Sequence, residues 1–190
     1  MEKDSLVLIL PGWQNSDADH WQTRWEQRHG YTRVAQHDWQ RPLRGDWTVQ
    51  LQEAVLAAPA PVVLVAHSLG CILTAWWADH APRSTVAKVQ AALLVAPGDV
   101  EQDDLRQQLP GWAPIARQRL PFRTTLVGSR NDPYCRAERA RQLAADWGAA
   151  WVDAGAAGHI NSASGLGDWP AGHALLEELL KDFPDGNHKT

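Results

Sequence analysis

The chain has 190 residues, 44% hydrophobic and 21% charged, with a formal net charge of −4. That length is enough for one compact domain with its own core, and a single domain over 1–190 is expected. Interspersed acids and bases with no basic stripe disfavour nucleic-acid binding, and apolar runs as short as 62–66 and 91–97 cannot span a bilayer.

Residues 6–10 form an apolar strand candidate that ends at the turn Pro11-Gly12. Asn15, Ser16 and Asp17 offer caps for a helix over about 17–29, where Trp21 and Trp25, four apart, share one face. Gly30 stops that helix, and 31–38 is a weaker strand candidate. Residues 39–45 read as loop, with Pro42 and Gly45 as breakers. Asp46 can cap a helix to about 57, with Val49, Ala54 and Leu56 as its apolar face, and Ala58-Pro59-Ala60-Pro61 breaks it. The run 62–66 is a strand, and an apolar helix follows from Cys71 to about 80.

Residues 89–96 form the next strand, and 97–121 form a Pro- and Gly-rich loop region with one short helix at 103–108. A strand at 124–127 leads into the polar turn 128–133, then a helix over about 136–147 and a strand at 150–153. A Gly- and Ser-rich loop, 155–167, carries His159. A last helix spans about 170–182, and the polar tail 184–190 is expected to fray. Strands and helices alternate throughout, which predicts an α/β fold: a mostly parallel sheet flanked by helices on both faces. In such sheets ligands bind beyond the carboxyl ends of the strands.

The most informative stretch is Ala66-His67-Ser68-Leu69-Gly70, between a strand and a helix. A serine on so sharp a turn has its hydroxyl exposed above the sheet, provided that the residues two before and two after are small. The following helix aims free N–H groups and its positive dipole end at the same place. The bland alternative is that Ser68 merely caps a helix.

A serine nucleophile needs a base to take its proton and a third group to orient that base. Of eight histidines, His159 alone lies in a glycine-flanked loop after the last strand. His37, at the end of a strand, is a weaker competitor, and His67 adjoins the serine but should point away from it. The acid should lie between serine and histidine in sequence. Asp132 is favoured, with Asp99 and then Asp153 behind it. An oxyanion hole needs two N–H donors. Leu69 supplies one by the geometry of the turn. The second should come from Pro11-Gly12-Trp13-Gln14, with Trp13 preferred and Gly12 next, since Pro11 has no N–H.

Neither phosphate-binding nor dinucleotide-binding glycine motifs occur, and no His/Asp/Glu cluster has ligand spacing, so no cofactor and no metal are expected. Cys71 and Cys135 make no disulfide framework, and Cys71 reads as a small core residue. Eleven tryptophans read first as core packing. Met1-Glu2-Lys3-Asp4 runs straight into a strand-like segment with no visible signal peptide, so a cytoplasmic location is expected.

The elbow at 66–70 resembles that of the α/β-hydrolase superfamily. More closely, the chain is similar to the small YdeN-like serine hydrolases, the group that includes retinoblastoma-binding protein 9. The resemblance runs nearly end to end. It rests on Leu10-Pro11-Gly12-Trp13-Gln14-Asn15-Ser16 with His20-Trp21-Gln22, on the elbow, on Gly128-Ser129-Arg130-Asn131-Asp132-Pro133, and on Gly158-His159-Ile160-Asn161 with Gly165-Leu166-Gly167-Asp168-Trp169-Pro170. It implies a compact hydrolase without a large cap domain and a triad that maps to Ser68, Asp132 and His159. Ala66 departs from the usual glycine and implies a slightly more crowded elbow.

The expected activity is hydrolysis of small esters or related acyl compounds, carboxylesterase-like, through an acyl-enzyme on a small-molecule acyl substrate. Thioester hydrolysis or acyl transfer on the same triad is the neighbouring alternative. A protein- or peptide-binding module on a hydrolase scaffold is the alternative from another class.

Overall fold

The structure is a computed structural model that describes residues 5–181. The expected frayed tail, position 182 of the expected last helix, and the N-terminal Met1–Asp4 segment lie outside the described residues. In chain order the elements are β1 (Leu6–Leu10), α1 (Trp21–His29), β2 (Thr32–Arg33), α2 (Arg44–Ala57), β3 (Val62–His67), α3 (Leu69–His80), a one-turn α4 (Arg83–Val86) and β4 (Val89–Val95). There follow α5 (Asp103–Gln108), β5 (Arg123–Gly128), α6 (Ala137–Trp147), β6 (Ala150–Asp153), a 3-10 turn (Ser162–Ser164) and α7 (Pro170–Lys181). The strands form one sheet in the order β2-β1-β3-β4-β5-β6, with every neighbouring pair parallel. This is the expected α/β fold.

The central strands are apolar at almost every position because both faces are covered. Successive side chains alternate between the faces. Leu8, Leu10, Leu64, Ala66, Ala92 and Leu94 face a core built with α2, α3 and α6. Val7, Ile9, Val63, Val65, Leu93 and Val95 face a second core built with α1 and α7. Strand order reverses between β1, whose next partner in sequence lies on one side, and β3 on the other. The crevice at that switch point is where open α/β sheets bind ligands.

Several expected boundaries shift. Helix α1 begins at Trp21, four residues later than expected, because Asp17 Oδ1 accepts the Asp19 N–H in a turn and His20 becomes the cap, its Nδ1 accepting the Gln22 N–H at 3.1 Å. The strand expected over 31–38 shrinks to the two residues of β2 at the sheet edge. Helix α2 starts at Arg44 and buries Trp47, Leu51 and Val55. The apolar face expected from Val49, Ala54 and Leu56 is therefore corrected: Val49 and Leu56 are 52% and 55% exposed. The spacing 47, 51, 55 keeps to one face of the helix, and it carries the bulkiest ring. Helix α5 and strand β6 lie where expected.

Candidate active site

Strand β3 ends at His67, and Ser68 turns the chain with φ 54° and ψ −116° before α3 begins at Leu69. So tight a turn works only if its neighbours are small. A Cβ on Gly70 would lie 2.4 Å from the Leu10 carbonyl oxygen, and one on Gly12 would lie 2.8 Å from Ser68 Cβ. The loop after β1 thus presses directly against the elbow. Ala66 is fully buried yet stays in register with Leu10 on one side and Leu94 on the other. The extra methyl is absorbed without disturbing the strand pairing.

Three of the expected site residues meet above this turn. His159 Nε2 lies 2.9 Å from Ser68 Oγ, and His159 Nδ1 lies 2.9 Å from both carboxylate oxygens of Asp132. A carboxylate only accepts, so the Nδ1 proton points to Asp132 and Nε2 is left to accept the serine hydroxyl. The Asp132 side chain is 2% exposed and that of His159 9%. The competitors lie elsewhere. Asp99 sits 3.4 Å from Arg139, Asp153 bonds Arg130 at 2.9 Å, and His37 is exposed.

The loop carrying His159 is held from several sides. Ser129 Oγ accepts the Ala157 N–H at 2.9 Å, and Asn131 Oδ1 accepts the Gly158 N–H at 2.7 Å. Asp132 Oδ1 also accepts the Tyr134 N–H at 2.8 Å, and the Tyr134 ring meets the His159 imidazole edge-on at 4.6 Å between centroids. His67 Nε2 donates to the His159 carbonyl at 2.9 Å. Sequence reasoning set His67 aside because it should point away from Ser68. It does not act on the serine, but it ties down the residue that does contact it. Burial, reinforced by His20 and His159 nearby, holds the His67 pKa well below the ordinary imidazole value, so this ring stays neutral.

Ser68, His159, His67 and Tyr134 line a cavity of about 660 Å³, within the size range of small-molecule sites. Trp13, Leu69 and Gly12 line it too. Leu69 is the first residue of α3, and the first N–H groups of a helix have no intrahelical acceptor. The Cβ position of Gly12 lies 3.3 Å from the Leu69 nitrogen, so the loop bearing Trp13 adjoins that N–H. Among the described residues no group of three or more His, Cys, Asp or Glu is placed to hold a metal ion, and no helix is long and apolar enough to cross a membrane.

A family model described as serine hydrolase matches residues 7–178. The chain belongs to this serine hydrolase family. The structure of a YdeN-like hydrolase from Pectobacterium atrosepticum is 27% identical, covering 94% of this chain and 91% of its own, with a TM-score of 0.82. The ydeN gene product of B. subtilis is 18% identical over 94% of this chain and 100% of its own, with a TM-score of 0.75. Thermogutta terrifontis esterase 2 shares the fold at 17% identity and a TM-score of 0.68, over 98% of this chain and 86% of its own. No curated protein matches the sequence significantly.

In this serine hydrolase the triplet His20-Trp21-Gln22 has a structural task. Gln22 is fully buried and donates to the carbonyls of Leu10 and Val65 at 3.2 Å each, joining the ends of β1 and β3, while its Oε1 accepts the Ser16 hydroxyl at 2.7 Å. Trp21 Nε1 donates to the Ile160 carbonyl at 2.8 Å, immediately after His159. Trp25 Nε1 donates to the Asp168 carbonyl at 2.7 Å, and the rings of Trp21, Trp25 and Trp169 pack together. The long run 165–170 thus anchors the far end of the His159 loop to α1. His20 packs at 4.7 Å against His67, and burial lowers its pKa to about 4. Nothing in the spacing of these residues showed that they act on the loop of His159 rather than on one another.

Proposed function

We propose that this serine hydrolase cleaves small esters or related acyl compounds through an acyl-enzyme formed on Ser68. The observation that carries this reading is the unbroken hydrogen-bonded chain from Ser68 Oγ through His159 to the buried Asp132 carboxylate. Ser68 Oγ attacks the carbonyl carbon while its proton passes to His159 Nε2. Asp132 holds the ring and stabilises the imidazolium that forms. The carbonyl oxygen becomes an oxyanion facing the N–H groups of Leu69 and Trp13, at the positive end of α3. Collapse of the tetrahedral intermediate breaks the bond to the alcohol oxygen, which takes the proton from His159. Water then attacks the acyl-enzyme with His159 as base, releasing the acid and returning the proton to Ser68.

A fluorophosphonate probe tests the assignment. It is expected to label the protein, and Ser68→Ala is expected to abolish labelling. Labelling that survives the substitution contradicts it.

A further inference from the structure

The cavity above Ser68 has two unlike walls. Asn15, Ser16, Asp17, Asn161 and Ser162 make one side polar, and Val100, Leu105 and Leu109 make the other apolar. The apolar wall is carried by α5 and its flanks, and it is fixed in place. Asp99 N–H and Gln102 Nε2 both donate to the Tyr134 carbonyl, at 2.9 and 2.7 Å, and Arg139 pairs with Asp99 and Glu101. Between this wall and the nucleophile lies Gly98, three residues beyond the end of β4.

Gly98 is buried and its φ lies outside the left-handed region, so the backbone does not require glycine here. A Cβ built on it would meet Ser68 Oγ at 3.4 Å, Leu105 Cδ1 at 4.0 Å and the Leu69 nitrogen at 4.0 Å. Those are ordinary contacts, so the protein itself has room for a methyl group. What the absent side chain leaves open is the passage from Ser68 Oγ to Leu105.

A carbon bonded to Ser68 Oγ in a tetrahedral intermediate has three other substituents. The oxyanion is directed to the Leu69 N–H, and the leaving oxygen must reach His159 Nε2. No atom of His159 comes closer to the Gly98 Cβ position than the three just named. The open passage over Gly98 therefore takes the remaining substituent.

We propose that Gly98 opens an acyl-chain groove, walled by Val100, Leu105 and Leu109, that selects esters with an apolar acyl chain and leaves the alcohol on the polar side. The inference rests on Ser68 being the nucleophile. A chain lying in this groove gains contact with each added methylene, worth roughly 10-fold or more in kcat/KM per group for a well-fitted apolar pocket.

The test compares p-nitrophenyl acetate, butyrate and hexanoate with the wild type, Gly98→Ala and Leu105→Ala. Thermal unfolding reports that each variant is folded. The wild type is expected to prefer butyrate or hexanoate over acetate. Gly98→Ala is expected to lower the hexanoate-to-acetate ratio of kcat/KM by about 10-fold or more, and Leu105→Ala to lower it in the same direction. A second series, acetates of alcohols of increasing length, is expected to show the same selectivity in wild type and Gly98→Ala. If both folded variants keep the wild-type acyl ratio within about twofold, while turnover still depends on Ser68, the groove is overturned and the hydrolase reading stands. If Gly98→Ala instead changes selectivity in the alcohol series, the passage holds the leaving group and the acyl assignment is overturned. If no ester is turned over in a Ser68-dependent way, the hydrolase reading falls and takes this inference with it.

Discussion

Ser68 sits in a backbone conformation that side chains rarely adopt, and such positions cost about 1–3 kcal/mol each. The fold holds it there through Gly70 against the Leu10 carbonyl and Gly12 against the serine itself. That constraint aims the hydroxyl at His159 Nε2, and Asp132 aims His159. Asp132→Asn keeps the size of the side chain but lets its amide donate, which favours the wrong tautomer of His159. Its kcat on an activated ester is expected to fall about 10³–10⁴-fold, and steady-state kinetics checks it; a loss under tenfold contradicts the orienting role. That Ser68, Asp132 and His159 would meet was legible in the sequence, because each follows a strand end and so lies at one sheet edge. His67 was not legible in its role. Only the closed fold brings its Nε2 to the carbonyl of a residue 92 positions away.

At the scale of elements, the strands were legible because runs such as 62–66 are apolar at every position, which a sheet covered on both faces requires. Helix α2 was less so. Its sequence offers two candidate faces, and the choice depends on the depth of the neighbouring α3, which no local pattern states. Leu51 is completely buried and Leu56 is 55% exposed. Leu51→Ala is expected to cost about 2–5 kcal/mol of folding free energy, and Leu56→Ala to stay within about 0.5 kcal/mol of wild type. Urea unfolding of the two variants separates them, and equal losses contradict the observed face. The short length of the edge strand β2, expected over 31–38, and the cap of α1 escaped the sequence for a related reason. Asp17, Asn15 and Ser16 are all good caps, but Arg33 and Gln22 draw Asn15 and Ser16 into the site loop. Long-range hydrogen bonds overrode local propensity there.

For the whole molecule, two helical layers on one parallel sheet converge on a site whose support includes two buried neutral imidazoles. His20 has its pKa lowered from 6.5 to about 4, chiefly by burial, with Arg33 and His159 adding to the fall and Asp17 opposing it. Its unfolded form therefore binds a proton that the folded form refuses between those values. Stability from this group is intact above about pH 6.5 and is lost as pH falls toward about 4, by roughly 3 kcal/mol in all. Below that both states are protonated and the loss stops. His20→Asn keeps a cap acceptor for the Gln22 N–H and removes the titration. Urea unfolding at pH 7 and pH 4.5 is expected to show a larger drop for wild type than for His20→Asn, and equal drops contradict the account.

The proposed function makes one chemical claim, that the acyl group is carried on Ser68. Acid quenching during turnover of an activated ester, followed by mass mapping of the peptides, tests it directly. The account predicts an added acyl mass on the peptide containing Ser68, with neither adduct nor turnover in Ser68→Ala. Turnover that persists in Ser68→Ala, or an adduct confined to another residue, would contradict it.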